Sequence, residues 1–352
     1  MPEWTGPGAI GSAVVNAATA ERAESSRANA ARGGIDLGGT KIQTVVVDGR
    51  NKVLGEARMP TPRSGGPKDV ADAMAESLLA SAASAGIETK DLRGVGVGSP
   101  GAVDEATGTV SSAKNLPGWA GSYALGPRLA EALGTEVKLG NDVQVAVDGE
   151  FSLGAGRDYD SLLGVWWGTG VGGGIILDGK PWLGRGAAGE IGHIVVKRGG
   201  RRCPCGRRGC MEAYAGRAAM ENRARKLVEE GRKTNLFKEM EHRGRDRLTS
   251  GIWARALDDG DKMTEELLDE AVKAIGTGVA SALNVLDVEA VVIGGGLGDR
   301  FGERYGEQIH KQMLKSLFTS DDPPAFHLAA LGDLGGAIGA SLLVKGRRAK
   351  RS

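Results

Sequence analysis

The sequence predicts an α/β protein made of two copies of one domain, and three observations lead there. Apolar runs of strand length alternate with segments of helical periodicity along most of the chain. Residues 35–49 match residues 165–179 at a constant offset of 130: Gly38 aligns with Gly168, Val45–Val47 with Ile175–Leu177, and Asp48-Gly49 with Asp178-Gly179. Each copy reads strand, glycine turn, strand, Asp-Gly hairpin, as a duplicated domain would. The length of 352 residues suffices for two domains with a core each.

The elements follow in order. Residues 1–32, rich in Ala, Gly and Ser, read as a disordered or weakly ordered extension. Gly34-Ile-Asp-Leu-Gly-Gly-Thr-Lys41 then leads into the β-branched run Ile42–Val47, closed by Asp48-Gly49. Val70, Met74, Ser77 and Leu78 mark a helix face, and Val95–Gly98 a short buried strand. Leu125, Leu129 and Leu133 mark a second helix, stopped by Gly134. Leu139-Gly-Asn-Asp142 is a strand that ends in an acid, with a helix starting at Val143. Apolar residues from Leu267 to Leu286 recur at helical spacing, feeding a strand, Ala290–Ile293, and then Gly294-Gly295-Gly296. Residues 347–352 form a basic tail.

Composition excludes several classes. With 41% hydrophobic and 25% charged residues and a net charge of +1, neither nucleic acid nor an anionic membrane is expected as partner. No apolar run approaches the ~18 residues needed to span a bilayer. The start lacks a basic segment followed by an apolar core, so a cytoplasmic protein is expected. All three cysteines lie within Cys203–Cys210, which points to a metal or reactive thiols in a reducing compartment.

Paired glycine turns offer backbone N–H groups unobstructed by side chains, as a polyphosphate requires. In the first, Asp36 suits Mg²⁺ held through water, while Thr40 and Lys41 suit donation to phosphate oxygens; in the second, Gly168-Thr-Gly-Val-Gly-Gly-Gly presents a similar set. Taken singly, each hairpin also serves turn geometry alone. Gly96-Val-Gly-Ser-Pro-Gly and Gly168-Thr-Gly-Val-Gly-Gly satisfy the dinucleotide fingerprint, but one runs into Pro100-Gly101 and the other into a strand, where that motif opens a helix. No G-x-x-x-x-G-K-[ST] occurs.

His193 with Cys203, Cys205 and Cys210 makes a Cys₃His set, suited to tetrahedral Zn²⁺. With four protein ligands the metal is structural, since no position remains for water. Glu190 and Glu212 flank that loop, where two carboxylates can bind vicinal hydroxyls of a sugar; Glu212 also reads as a solvated helix-start carboxylate. Asp142 reads as the base of a kinase, accepting the proton of the attacking hydroxyl, or as an N-cap.

These motifs together resemble the ROK family of bacterial repressors and sugar kinases, most closely its glucokinase branch. The resemblance spans residues 33 to 345 and rests on Asp36-Leu-Gly-Gly-Thr-Lys41, Ser99-Pro-Gly-Ala-Val-Asp104, Asn115-Leu-Pro-Gly-Trp119, Asn141-Asp142 and Gly168-Thr-Gly-Val-Gly-Gly173. Gly189-Glu-Ile-Gly-His193 and the run from Cys203 through Cys205 and Cys210 to Glu212 complete it. It implies an actin-like (ribonuclease H-like), duplicated two-domain fold with an interdomain cleft. The small domain would span 33–140, completed by a helix at 333–346, and the large domain 141–332, with a zinc loop at 193–212. It implies that Asp142 is the base acting on the sugar 6-hydroxyl, and that Asn115, Asn141, Glu190, His193 and Glu212 line the sugar pocket. Asp36, Gly38, Gly39, Thr40, Lys41, Thr169 and Gly170 would handle the phosphates, and Gly294, Gly295 and Gly296 the nucleoside. ATP, Mg²⁺ and structural Zn²⁺ are the implied cofactors, and a homodimer or homotetramer the implied assembly. Gln144 stands where relatives often have Asn.

The implied reaction transfers the γ-phosphoryl group of ATP to glucose; N-acetylmannosamine, N-acetylglucosamine, fructose and allose are the alternative acceptors. The repressor branch places a winged helix-turn-helix of roughly 40 residues or more ahead of the sugar domain. Met1–Arg32 is shorter and carries no basic recognition helix, so DNA binding is not expected.

Overall fold

The computed structural model describes residues 31–113, 116–318 and 321–345. These form two compact units: one from the described residues up to Asp142 together with those from Gly336 onward, the other from Val143–Gly335. The expected extension, but for its last two residues, the basic tail and Asn115 lie outside the described residues. Among the described residues no helix is long and apolar enough to cross a membrane.

The first unit opens with β1 (Arg32–Leu37), β2 (Lys41–Val47) and β3 (Val53–Pro60), an antiparallel meander. Helix α1 (Pro67–Ser84) lays Val70, Met74, Ser77 and Leu78 against it. Strand β4 (Val95–Ser99), buried throughout, runs parallel to β1. A small sheet of β5 (Ala102–Asp104), β6 (Thr109–Ser111) and β7 (Ser122–Tyr123) precedes α2 (Leu125–Leu133). That helix buries Leu125, Leu129 and Leu133 and stops at Gly134, whose φ of 67° only glycine adopts freely. Strand β8 (Val137–Asn141) then pairs parallel to β4.

Helix α3 (Asp142–Leu153) leads into the second unit. There β9 (Leu162–Trp167), β10 (Val171–Leu177) and β11 (Lys180–Pro181) form a second antiparallel meander. A helical layer follows: α4 (Glu212–Ala215), α5 (Arg217–Glu229), α6 (Leu236–His242), α7 (Ser250–Asp258) and the long α8 (Lys262–Leu286). Asp261 caps α8 by accepting the Thr264 amide at 2.9 Å. Strand β12 (Ala290–Gly294) pairs parallel to β9, α9 (Gly295–Leu314) crosses back, and β13 (Ala325–Leu328) extends the sheet in parallel.

Both five-stranded sheets carry one pattern: β3-β2-β1-β4-β8 and β11-β10-β9-β12-β13, each with two antiparallel and two parallel pairings in the same order. This is the duplicated actin-like, ribonuclease H-like arrangement. Strand β1 (Arg32–Leu37) matches β9 (Leu162–Trp167), and β2 (Lys41–Val47) matches β10 (Val171–Leu177), end for end at the offset of 130.

Helix α10 (Gly335–Ser341) returns to the first sheet, where side chains would block its approach. A Cβ on Gly34 would collide with the Ala337 carbonyl, and one on Gly96 with the Ala340 carbonyl. Glycine at both sites lets helix backbone sit directly on β1 and β4.

Two expectations need correction. The Asp-Gly hairpin forms only in the second copy, where Asp178 (φ 51°) and Gly179 (φ 70°) make a two-residue turn. In the first, the turn widens to Asp48–Lys52 and the positive φ, 68°, falls on Asn51. The Asp48 carboxylate takes the Arg50 and Lys52 amides, at 2.8 and 2.9 Å, which a two-residue turn could not present. Arg32, read as part of the extension, opens β1 and is 2% exposed; its guanidinium donates to Asn51 Oδ1 at 2.6 Å and the Asp48 carbonyl at 3.2 Å.

Candidate functional site

The parallel strands β1, β4 and β8 end together in the first unit. Asp36 pairs with Gly98 in register, and Ser99 with Asn141, so Asp36, Asn141 and Asp142 gather at the carboxyl edge of one sheet. Open α/β sheets place ligands at that edge. Asp36 is half-buried beside Gly336, where a Cβ would come within 2.7 Å of the carboxyl carbon, so the glycine leaves a cradle around this acid. In the adjoining turn Gly38 N–H donates to the Lys41 carbonyl at 2.9 Å. From β3's far end Thr61 braces that turn, its hydroxyl donating to the Gly38 carbonyl at 2.6 Å and its amide to the Thr40 carbonyl at 3.2 Å. Gly39 and Thr40 are exposed. Asp142 is the first residue of α3 and half-buried.

In the second unit the turn between β9 and β10 is one residue shorter. Trp167 pairs with Val171, whereas in the first copy Leu37 pairs with Ile42; Gly168 N–H closes on the Gly170 carbonyl at 3.0 Å. Gly294 ends β12 and Gly295, at φ 86°, opens α9, with Gly296 facing open space. Gln144 turns into the unit's interior, its amide donating to Asp148 at 2.7 Å and its carbonyl accepting the Ile175 amide at 3.4 Å.

The metal-binding set assembles nearby. His193 sits in a single turn, Ile191–His193, and the segment after it doubles back: Val196 N–H bonds the Gly209 carbonyl and Met211 N–H the Ile194 carbonyl, both at 2.8 Å. Gly206 (φ 91°) and Gly209 (φ 83°) supply the reversals. One ligand atom each from His193, Cys203, Cys205 and Cys210 lies within 4.8 Å of every other. Cys205 and Cys210 sulfurs are 3.7 Å apart, as are Cys203 Sγ and His193 Nδ1. Zn–S bonds of ~2.3 Å in a tetrahedron put sulfurs about 3.8 Å apart, so the donor set fits that ion. Burial pushes the Cys203 thiol up to about 12 and raises Cys210, while a hydrogen bond from Arg207 lowers exposed Cys205 to about 6. Two buried thiols that resist ionisation are what a bound dication would reverse.

Glu212 links this cluster to the glycine turn. Its Oε1 lies 3.8 Å from Cys203 Sγ, and its Oε2 accepts the Val171 amide at 3.0 Å. A Cβ on Gly170 would strike the same carboxylate. The sequence reading of a solvated helix-start acid is therefore corrected: the group is tied to backbone. Glu190 stands on the other side, its Oε2 3.8 Å from His193 Nε2. The Nδ1 of His193 thus faces the thiols and Nε2 faces a carboxylate, the division of labour common in metal-bound histidines.

Sequence reasoning missed Arg217. Its amide donates to the Gly168 carbonyl and the Ala218 amide to the Thr169 carbonyl, each at 3.1 Å. The guanidinium donates to Thr169 Oγ1 at 2.8 Å and the Leu248 carbonyl at 2.6 Å. Nothing in the local sequence marks this arginine among its many neighbours of the same type.

A profile of the ROK family matches residues 32–347. The chain belongs to the ROK family. It is similar to the glucokinase of Halalkalibacterium halodurans, 32% identical over 313 residues, which cover 88% of this chain and 94% of that one. An N-acetylgalactosamine kinase of Shewanella is 31% identical over 321 residues, 89% of this chain and 96% of that enzyme. Among solved structures, a ROK glucokinase from Streptomyces griseus in complex with glucose and AMPPNP superposes with a TM-score of 0.75 at 31% identity, covering 90% of this chain and 99% of that one.

Proposed function

We propose that this ROK chain is an ATP-dependent sugar kinase that transfers the γ-phosphoryl group to the 6-hydroxyl of glucose. The observation that carries the reading is the likeness, over 90% of the chain, to a ROK glucokinase that holds glucose and an ATP analogue. The placement of Asp36, Asn141 and Asp142 at one sheet edge supports it, as does the cluster of Glu190, His193 and Glu212 around a potential metal site.

In this reading Asp142 accepts the proton of the 6-hydroxyl as its oxygen attacks the γ-phosphorus in line. Asn115, Asn141, Glu190 and His193 hydrogen-bond the sugar, and Glu212 offers Oε1 while Oε2 keeps the Val171 amide. Gly39, Gly170 and their neighbours supply backbone N–H groups to the phosphates, joined by Thr40, Lys41 and Thr169, while Gly38 closes its turn on the Lys41 carbonyl and leaves the approach open. Gly294, Gly295 and Gly296 leave room for the nucleoside. Asp36, in its glycine-lined cradle, holds Mg²⁺ through water, which when bound neutralises phosphate charge. His193, Cys203, Cys205 and Cys210 hold Zn²⁺, which when bound stiffens residues 193–212. A cytoplasmic homodimer or homotetramer belongs to the same reading.

A coupled ADP-release assay across a hexose panel tests it. The parent is expected to turn over glucose, and Asp142→Asn to lose at least ~10²-fold in kcat. Full turnover by that variant would overturn the role of Asp142. The N-acetylgalactosamine kinase relative supports a second acceptor class, the 2-acetamido sugars, which the same panel separates from glucose.

A further inference from the structure

Thr169 sits in the second glycine turn, and one of its lone pairs is already committed. The Nη2 of Arg217 donates to Thr169 Oγ1 at 2.8 Å. A guanidinium has no acceptor, so at this contact the threonine oxygen accepts and its own hydrogen points elsewhere. Two further ties, Arg217 N–H to the Gly168 carbonyl and Ala218 N–H to the Thr169 carbonyl, hold this stretch of the turn against the start of α5. Among the described residues the hydrogen-bond partners of the guanidinium, Thr169 Oγ1 and the Leu248 carbonyl, are uncharged. Burial lowers its pKa, with Glu221 attracting the charge and Arg247 opposing it. A partly desolvated cation with neutral partners is stabilised by any anion brought to the turn.

From these contacts we infer that Arg217 is a positioning residue for the phosphoryl donor: it fixes Thr169 Oγ1 as an acceptor on the protein side, so that the hydroxyl hydrogen is given to a phosphate oxygen. The inference rests on the proposed phosphate role of this turn and adds a residue to it. The sugar side is left alone, since among the described residues the hydrogen bonds of Arg217 go to the second turn and to Leu248, and none to Glu190, His193 or Glu212.

A double-mutant cycle tests it, with kcat/KM for ATP measured at saturating sugar and kcat/KM for sugar at saturating ATP. Arg217→Ala and Thr169→Val are each expected to lower the ATP value by on the order of tenfold to a hundredfold. The pair together should lose no more than Thr169→Val alone, and the KM for sugar should stay within twofold of the parent. Arg217→Lys, which keeps the charge but cannot hold both partners in a fork, should fall between parent and Arg217→Ala. Because Arg217 also holds the Leu248 carbonyl, the Lys variant carries the cycle if the Ala variant does not fold. Additive losses, or an equal rise in KM for sugar, overturn the positioning role. If Thr169→Val is impaired while Arg217→Ala and Arg217→Lys match the parent, the Arg217 inference falls and the phosphate reading stands. If Thr169→Val leaves kcat/KM for ATP unchanged, the phosphate reading of this turn falls and the inference with it.

Discussion

The two glycine turns belong to one repeat, yet different parts of the chain hold them in shape. Gly38–Lys41 is braced from within its own meander, by Thr61 at the end of β3. Gly168–Gly170 is braced from more than forty residues downstream, by Glu212 on Val171 and by Arg217 on Gly168 and Thr169. The first turn is thus a local structure, complete once its three strands pair. The second is only as firm as the cysteine loop that positions Glu212 and the start of α5. Duplication supplied two similar turns, and in the proposed reading the neighbours of the second tie it to the metal-binding set of His193, Cys203, Cys205 and Cys210.

That difference can be broken at its strongest point by removing the metal. Elemental analysis is expected to find one zinc per chain, and a tight chelator to cost at least ~10²-fold in activity. Hydrogen exchange should then rise in β10 and α5 while β1 and β2 keep their protection. A metal-free preparation with full activity and unchanged exchange would end the idea. Glu212→Ala should have a smaller effect, about 10-fold to 50-fold in kcat/KM for ATP, because the Val171 amide loses its partner while the metal ligands stay. Thr61→Val should be smallest, about fivefold, through the lost bond to the Gly38 carbonyl alone. If Thr61→Val proves worse than Glu212→Ala, the first turn is the more vulnerable one and the contrast is reversed.

Much of this was legible in the residues, for reasons that differ by feature. The repeat of strand, turn and strand shows in the side-chain pattern, because burial on both faces of a central strand demands long β-branched runs such as Thr44–Val47. The Cys₃His set shows because metal ligands must come close in space and here come close in sequence. The one-residue difference between the two turns was hidden, since a glycine-rich turn of three or four residues looks alike until its ladder is known. Arg32 reads as the last residue of the extension because a charged residue at a boundary gives no sign that Asn51 and the Asp48 carbonyl await it. Arg217 and the backbone bond of Glu212 are tertiary matches across dozens of residues, which no local pattern encodes.

The glycines at 34 and 96 have a consequence for the order in which the protein is made. The surface they clear on β1 and β4 is covered by α10, which lies at the far end of the chain. A nascent first unit therefore waits, with that patch of sheet open, while the ribosome synthesises everything in between. The second unit, drawn from one uninterrupted stretch, can fold completely before the first is sealed. The sheet of the first unit can therefore be covered only after the whole second unit has been synthesised, and truncation near residue 335 would leave β1 and β4 without α10.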